Sequence, residues 1–147
     1  LVMKRILSIV LLACLCSACC HRESIYHQYL YFQDYSWKQS DTLIFCVDAE
    51  PHLAEKCQES QALYQIAIDE HSLKAYPYQH LWVAIRSTSD SLSHIDTLDL
   101  LQKENLSIDC PFRLSADKFP FSVDFYHLMQ DEALPNLHRI GLEIKLL

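Results

Sequence analysis

An alternation of apolar and polar residues, repeated along most of the chain, constrains the fold more than any other feature. TLIFCVD sets Leu43, Phe45 and Val47 on one face and Ile44 and Cys46 on the other. ALYQIAID does the same with Tyr64, Ile66 and Ile68, and HLWVAIRS with Leu81, Val83 and Ile85. FPFSVDFYHL contributes Phe121, Val123 and Phe125, and RIGLEIKLL contributes Ile140, Leu142, Ile144 and Leu146. IDTLDLL reads as a shorter member of the set. Successive side chains of a strand point to opposite sides, so a period of two implies a sheet with one face buried. Pro51, Pro77, Pro111, Pro120 and Pro135 fall at or near the breaks, as a ladder that needs N–H donors requires. The expectation is an all-β chain, an antiparallel two-layer β-sandwich of jelly-roll type with about seven or eight strands.

Two segments read less cleanly. HLAEKCQESQAL, from His52 to Leu63, has a helix-forming composition and suits a short helix or a long loop. YHLMQDEAL, from Tyr126 to Leu134, is expected to turn helical where its strand ends, before a turn at Pro135-Asn136. No internal repeat or low-complexity tract interrupts the body.

Composition removes several function classes. Gly141 is the only glycine. Phosphate-cradling loops and dinucleotide fingerprints need several glycines, and the serine-hydrolase elbow motif is absent as well. The net charge is −7, and outside residues 1–18 there are 10 basic residues against 19 acidic ones. An acidic body without a basic stripe repels phosphate, so nucleic acid is not an expected partner.

The N-terminal stretch LVMKRILSIVLLACLCSACC has the layout of an export signal. Met3 is read as the start. Lys4-Arg5 form a positive region, Ile6 to Leu15 an apolar one, and Ser17-Ala18 the small residues of a cleavage site. Cysteine follows directly, as in bacterial lipoproteins, where its thiol is acylated and the peptide is cleaved before it. Cys16-Ser17-Ala18-Cys19 fits that box except at its first position, where leucine is commoner. Leu11-Leu12-Ala13-Cys14 fits better but leaves a very short signal. An ordinary cleaved signal and a cysteine metal cluster are the competing readings. The cluster would lack polar groups to support its ligands. The expected organisation is a signal peptide over 1–18, a lipidated Cys19 with a tether over 19–34, and a sandwich over 35–147. That places the domain on a membrane through its lipid, with an outer membrane and a periplasmic face favoured.

The body holds Cys46, Cys57 and Cys110. Their spacing matches no zinc pattern, and the eight histidines share no periodicity, so neither metal nor cofactor is expected. A Cys57–Cys110 disulfide is a candidate, with Cys46 a buried strand residue. The sharpest enzyme hypotheses are a Cys110–His127 pair and paired acids, Asp96/Asp99 or Asp131/Glu132. Solvated strand edges explain the acids equally well. AYPYQHLW gathers Tyr76, Tyr78 and Trp82, which serve either as packing at a strand entrance or as rings for a partner or a sugar.

Three runs in order carry a family resemblance. Trp37, Lys38, Asp41, Leu43 and Phe45 enter the first core strand; Tyr76, Pro77, Tyr78, Leu81 and Trp82 precede another; Ile140, Gly141 and Leu142 open the last. After a lipobox, this pattern over residues 25–147 resembles the gliding-motility lipoprotein GldH family. Gln130 stands where that family usually has arginine, and Asn136 where it has a turn glycine. Residues 103–118 and 50–61 also depart from it. The resemblance implies a non-enzymatic envelope lipoprotein that supports a gliding or protein-secretion machine, with no catalytic residue to carry over. Its expected partners are other envelope, motility or secretion proteins, met through a surface that includes Trp37, Tyr76, Tyr78 and Trp82. The alternatives are a glycan- or lipid-binding sandwich and, more weakly, a hydrolase.

Overall fold

The structure is a computed structural model and describes residues 2–3, 22–102 and 106–147. The signal-peptide segment, apart from Val2 and Met3, and the lipidation candidate Cys19 lie outside the described residues. Ten strands follow in chain order. They are β1 (Ser24–Tyr31), β2 (Ser36–Lys38), β3 (Leu43–Val47), β4 (Ala62–Ile68) and β5 (Trp82–Ser89), then β6 (Leu92–Asp99), β7 (Leu106–Asp109), β8 (Phe121–His127), β9 (Ala133–Pro135) and β10 (Arg139–Leu146). Two short helices interrupt them, α1 (Pro51–Lys56) after β3 and α2 (Glu70–Ala75) after β4.

The strands pair as a nested series: β1 with β10, β2 with β9, β3 with β8, β4 with β7, β5 with β6, all antiparallel. The chain is therefore one long hairpin whose tip is the Asp90-Ser91 turn between β5 and β6. Asp90 takes a left-handed backbone there, a conformation its short polar side chain tolerates in place of glycine. Rolling this hairpin up lays β10 against β4 and β8 against β5. The result is two four-stranded sheets, β1-β10-β4-β7 and β3-β8-β5-β6, with β2-β9 as a small third ladder. That is the order of a jelly roll, so the all-β sandwich expected from the alternation is the fold.

The faces agree with the alternation too. Phe45 and Val47, Tyr64 and Ile66, Leu81, Val83 and Ile85, Phe121, Val123 and Phe125, and Ile140, Leu142 and Ile144 are all buried between the sheets. Tyr64 carries a polar atom into this core, and its hydroxyl meets Ser87 Oγ across the sheets at 3.0 Å. Burial pushes its pKa well above the usual phenol range.

Four expectations change. Ten strands form instead of seven or eight, because β2, β7 and β9 are too short to show a period. β1 lies inside the stretch assigned to the tether, paired along its length with β10, so the folded domain begins by Ser24. The segment after β8 is not helical and continues into β9, whose Leu134 pairs with Trp37. The stretch His52 to Leu63, read as a short helix or a long loop, divides: a helix starts one residue earlier, with Pro51 in its first turn, and ends at Lys56.

The strand registers also define two ends. At the entry end, Ser24 opposes Lys145, Leu146 donates to the Glu23 carbonyl, and Lys56 Nζ meets Glu23 Oε1 at 2.9 Å. At the far end, Tyr31 opposes Arg139, Ile68 opposes Ile140, and Val83 opposes His127. Hydrogen bonds tie the far-end connections together: Asn136 Nδ2 donates to the Ala75 carbonyl and His138 N–H to Ser72 Oγ.

Candidate functional site

The surface at the far end is built on Asp99, the last residue of β6. Its side chain is buried and accepts four hydrogen bonds. Leu81 N–H and Leu101 N–H donate to Oδ1 at 2.9 and 3.1 Å. Gln102 Nε2 donates to Oδ2 at 3.2 Å, and His80 Nδ1 lies 2.6 Å from the same oxygen. Burial alone would raise this carboxyl's pKa, but the bonds from Leu81, His80, Leu101 and Gln102 outweigh it and hold it below the usual carboxylate range. One carboxylate thus fixes the strand entrance at Leu81, the exit at Leu101 and the His80 ring.

Tyr76 completes the scaffold. It is buried, and its hydroxyl donates to the His80 carbonyl at 2.8 Å. Burial, with the nearby Tyr78 and the Asp99 and Asp131 carboxylates, pushes its pKa up to about 12. His80 in turn lies parallel to Trp82, ring centroids 6.2 Å apart at 26°. Trp82 N–H points to Met129 Sδ at 3.4 Å, and its carbonyl accepts from Leu128 N–H at 2.8 Å. The outcome is a residue whose backbone is fixed and whose ring, stacked on His80, is 43% exposed, beside Leu128 at 48%. Tyr78, also partly exposed, packs edge-on to Tyr76 at 5.4 Å. The Asp131 carboxylate beside its hydroxyl raises its pKa.

Of the four expected surface aromatics, two are on the surface. Trp37 is not, since β2 turns it inward to full burial. Its Nε1–H donates to the Asp41 carbonyl at 2.9 Å, and its ring meets Phe32 and the edge of His127. Tyr76 is likewise buried and acts as a support. Sequence reasoning missed Asp99 as the hub and His80 as the stacking partner. Their signal is weak, because only the folded register brings residues 80 and 99 together.

The cysteine expectations fail. Among the described residues Cys46, Cys57 and Cys110 are free, so the Cys57–Cys110 bond is not formed. Cys57 Sγ points to the Leu53 carbonyl and Cys110 Sγ to the Tyr64 hydroxyl. Cys46 is exposed and not buried, because it lies on the outer face of an edge strand. Burial raises the thiol pKa of Cys57 and of Cys110.

Cys110 is not joined to His127, and Asp96 is not brought beside Asp99. His127 is buried behind Trp37, with Nδ1 accepting from Met129 N–H, and no hydrogen bond among the described residues joins it to Cys110. Asp96 and Asp99, three apart on one strand, occupy opposite faces. Among the described residues no cluster of histidine, cysteine, aspartate and glutamate is arranged to hold a metal ion. No helix among them is long and apolar enough to cross a membrane. No protein-family model matches the chain, and no curated protein matches it.

Proposed function

We propose that this chain is a lipid-anchored envelope adaptor of the GldH type, an accessory of a gliding or protein-secretion machine that acts by contact with other envelope proteins. Acylation of Cys19 fixes the entry end to an outer membrane, with the domain in the periplasm. Two or three acyl chains hold where one is marginal, since each buried methylene contributes about 0.8 kcal/mol. Five Cα steps separate Cys19 from Ser24, a reach of about 18 Å at most. The eight-residue β1 then carries the fold roughly 25 Å to its other end. An aromatic surface there faces away from the lipid.

The observation that carries this reading is the fixed, exposed ring of Trp82. An aromatic side chain whose rotamer is already restrained loses little entropy on binding, which is why such rings dominate interface energetics. His80, itself held by Asp99, stacks on the ring, while Met129 and Leu128 fix only the Trp82 backbone. The resemblance in the residues around Trp37, Tyr76 to Trp82 and Gly141 supports the same assignment.

Affinity purification of the native chain from solubilised membranes tests it. The expected result is co-purification of motility or secretion subunits, reduced at least tenfold by Trp82→Ala. Recovery of lipid alone would contradict it. Cys19→Ser is expected to release the chain from the membrane fraction, and tight retention would reject the anchor.

A further inference from the structure

We propose that a second far-end feature, a groove of about 560 Å³ beside α2, binds a neutral pyranose unit of a glycan. Its lining includes Asp34, Tyr35, Ser36, His71, Tyr78 and Asn136. Five non-glycine residues in the described chain have a left-handed backbone, and three of them, Asp34, Tyr35 and Asn136, line this one groove. A left-handed aromatic residue is strained, and two such residues in succession are more so. Nothing in the core demands it, because Tyr35 buries little: it is 58% exposed. The strain instead presents its ring outward, backed by His138 stacked at 5.6 Å and 24°. The backbone is clamped in that form by Leu137 N–H, which donates to the Tyr35 carbonyl at 3.1 Å.

The surrounding groups define the ligand. Tyr35 and Tyr78 supply two flat faces suited to the C–H face of a sugar ring. Asp34, Ser36 and His71 supply polar groups for its hydroxyls. Asn136 already donates to the Ala75 carbonyl at 3.0 Å, so its Oδ1 remains to accept. A few polar groups set around aromatic walls are the usual make-up of a small-ligand site. No lysine or arginine lines the groove among the described residues, while Asp34 does. That selects against uronic acids, sulfated sugars and phosphates. Tyr78 borders both the groove and the adaptor surface, but Trp82 lies outside the groove lining, so Trp82 tells the two apart.

The full lipidated chain, kept in a non-glycosidic zwitterionic detergent, is titrated with chitotriose, cellotetraose and trigalacturonate under saturation-transfer NMR. At least one neutral oligosaccharide is expected to bind with a Kd of about 1 mM or tighter, and trigalacturonate at least tenfold more weakly. Tyr35→Gly is expected to lower affinity at least tenfold without lowering the melting temperature, because glycine relieves the left-handed backbone. Tyr78→Ala, measured in parallel, is expected to lower affinity as much, and Trp82→Ala to leave it unchanged. No binding of either neutral sugar would overturn the proposal. So would affinity that survives both Tyr35→Gly and Tyr78→Ala, or affinity that falls with Trp82→Ala instead.

Discussion

The chain's two tryptophans sit at the same end of the sandwich and meet opposite fates. Trp37 is fully buried, while Trp82 is 43% exposed. Trp37 lies on the three-residue β2, whose ladder with β9 roofs the space between the sheets, so its ring becomes core. Trp82 opens β5, one position out of phase with the inward Leu81 and Val83, and the pleat turns it outward. Both rings have aromatic neighbours, but among the described residues only Trp37 has its indole N–H bonded to the backbone. Residue type alone therefore does not decide whether a ring is core or surface. The strand phase and what covers the ring decide it.

Four substitutions or titrations sharpen that contrast, the largest effect first. Trp37→Ala should cost about 3–5 kcal/mol, the loss expected for a buried tryptophan. A fall in the urea midpoint reads this, and a cost equal to that of Trp82→Ala would erase the distinction. Asp99→Ala should cost about 1–3 kcal/mol, because it strands the N–H groups of Leu81 and Leu101. It should also change the acid limb of the stability curve. The folded Asp99 carboxyl has a lowered pKa, so its contribution is full above the unfolded value of about 3.9 and is lost as pH falls through the folded value. The variant should show a shallower decline over that range.

His127 gives the next effect. Burial lowers its pKa, opposed by the Trp37 backbone and by Asp131, so the fold favours its neutral form. Its contribution is intact above the unfolded value of about 6.5 and fades as pH drops towards the lowered folded value. His127→Leu should flatten the slope of stability against pH just below 6.5, measured by urea unfolding at several pH values. An unchanged slope would place another group in that window. Smallest of all, Trp82→Ala should change stability by less than about 1 kcal/mol. A larger loss would mean the ring belongs to the core and not to the surface.

The long strands were legible because burial on one face writes a period of two into β3, β4, β5, β8 and β10. Three kinds of feature were not. β2 and β9 have too few residues to show a period, and Trp37 meets Leu134 only through a non-local ladder. The stretch after His127 has helix-forming residues, yet pairing of Leu134 with Trp37 overrides that propensity. Cys46 alternates correctly but lies on an edge strand's outer face, so apolar character did not predict burial. The aromatic site was half legible. Tyr78 and Trp82 were visible as a cluster, but the Asp99 carboxylate that orders it is distant in sequence and arrives through the β5–β6 register. The Tyr35 groove left no local signal, since a left-handed tyrosine cannot be read from composition.

A photo-crosslinking residue placed at position 82 of the full chain in living cells tests the central claim most directly, with position 61 at the entry end as the control. The adaptor account predicts a discrete crosslink to a motility or secretion subunit from position 82 and none from 61. Equal crosslinking from both positions, or none from 82 while 61 captures a partner, would contradict it.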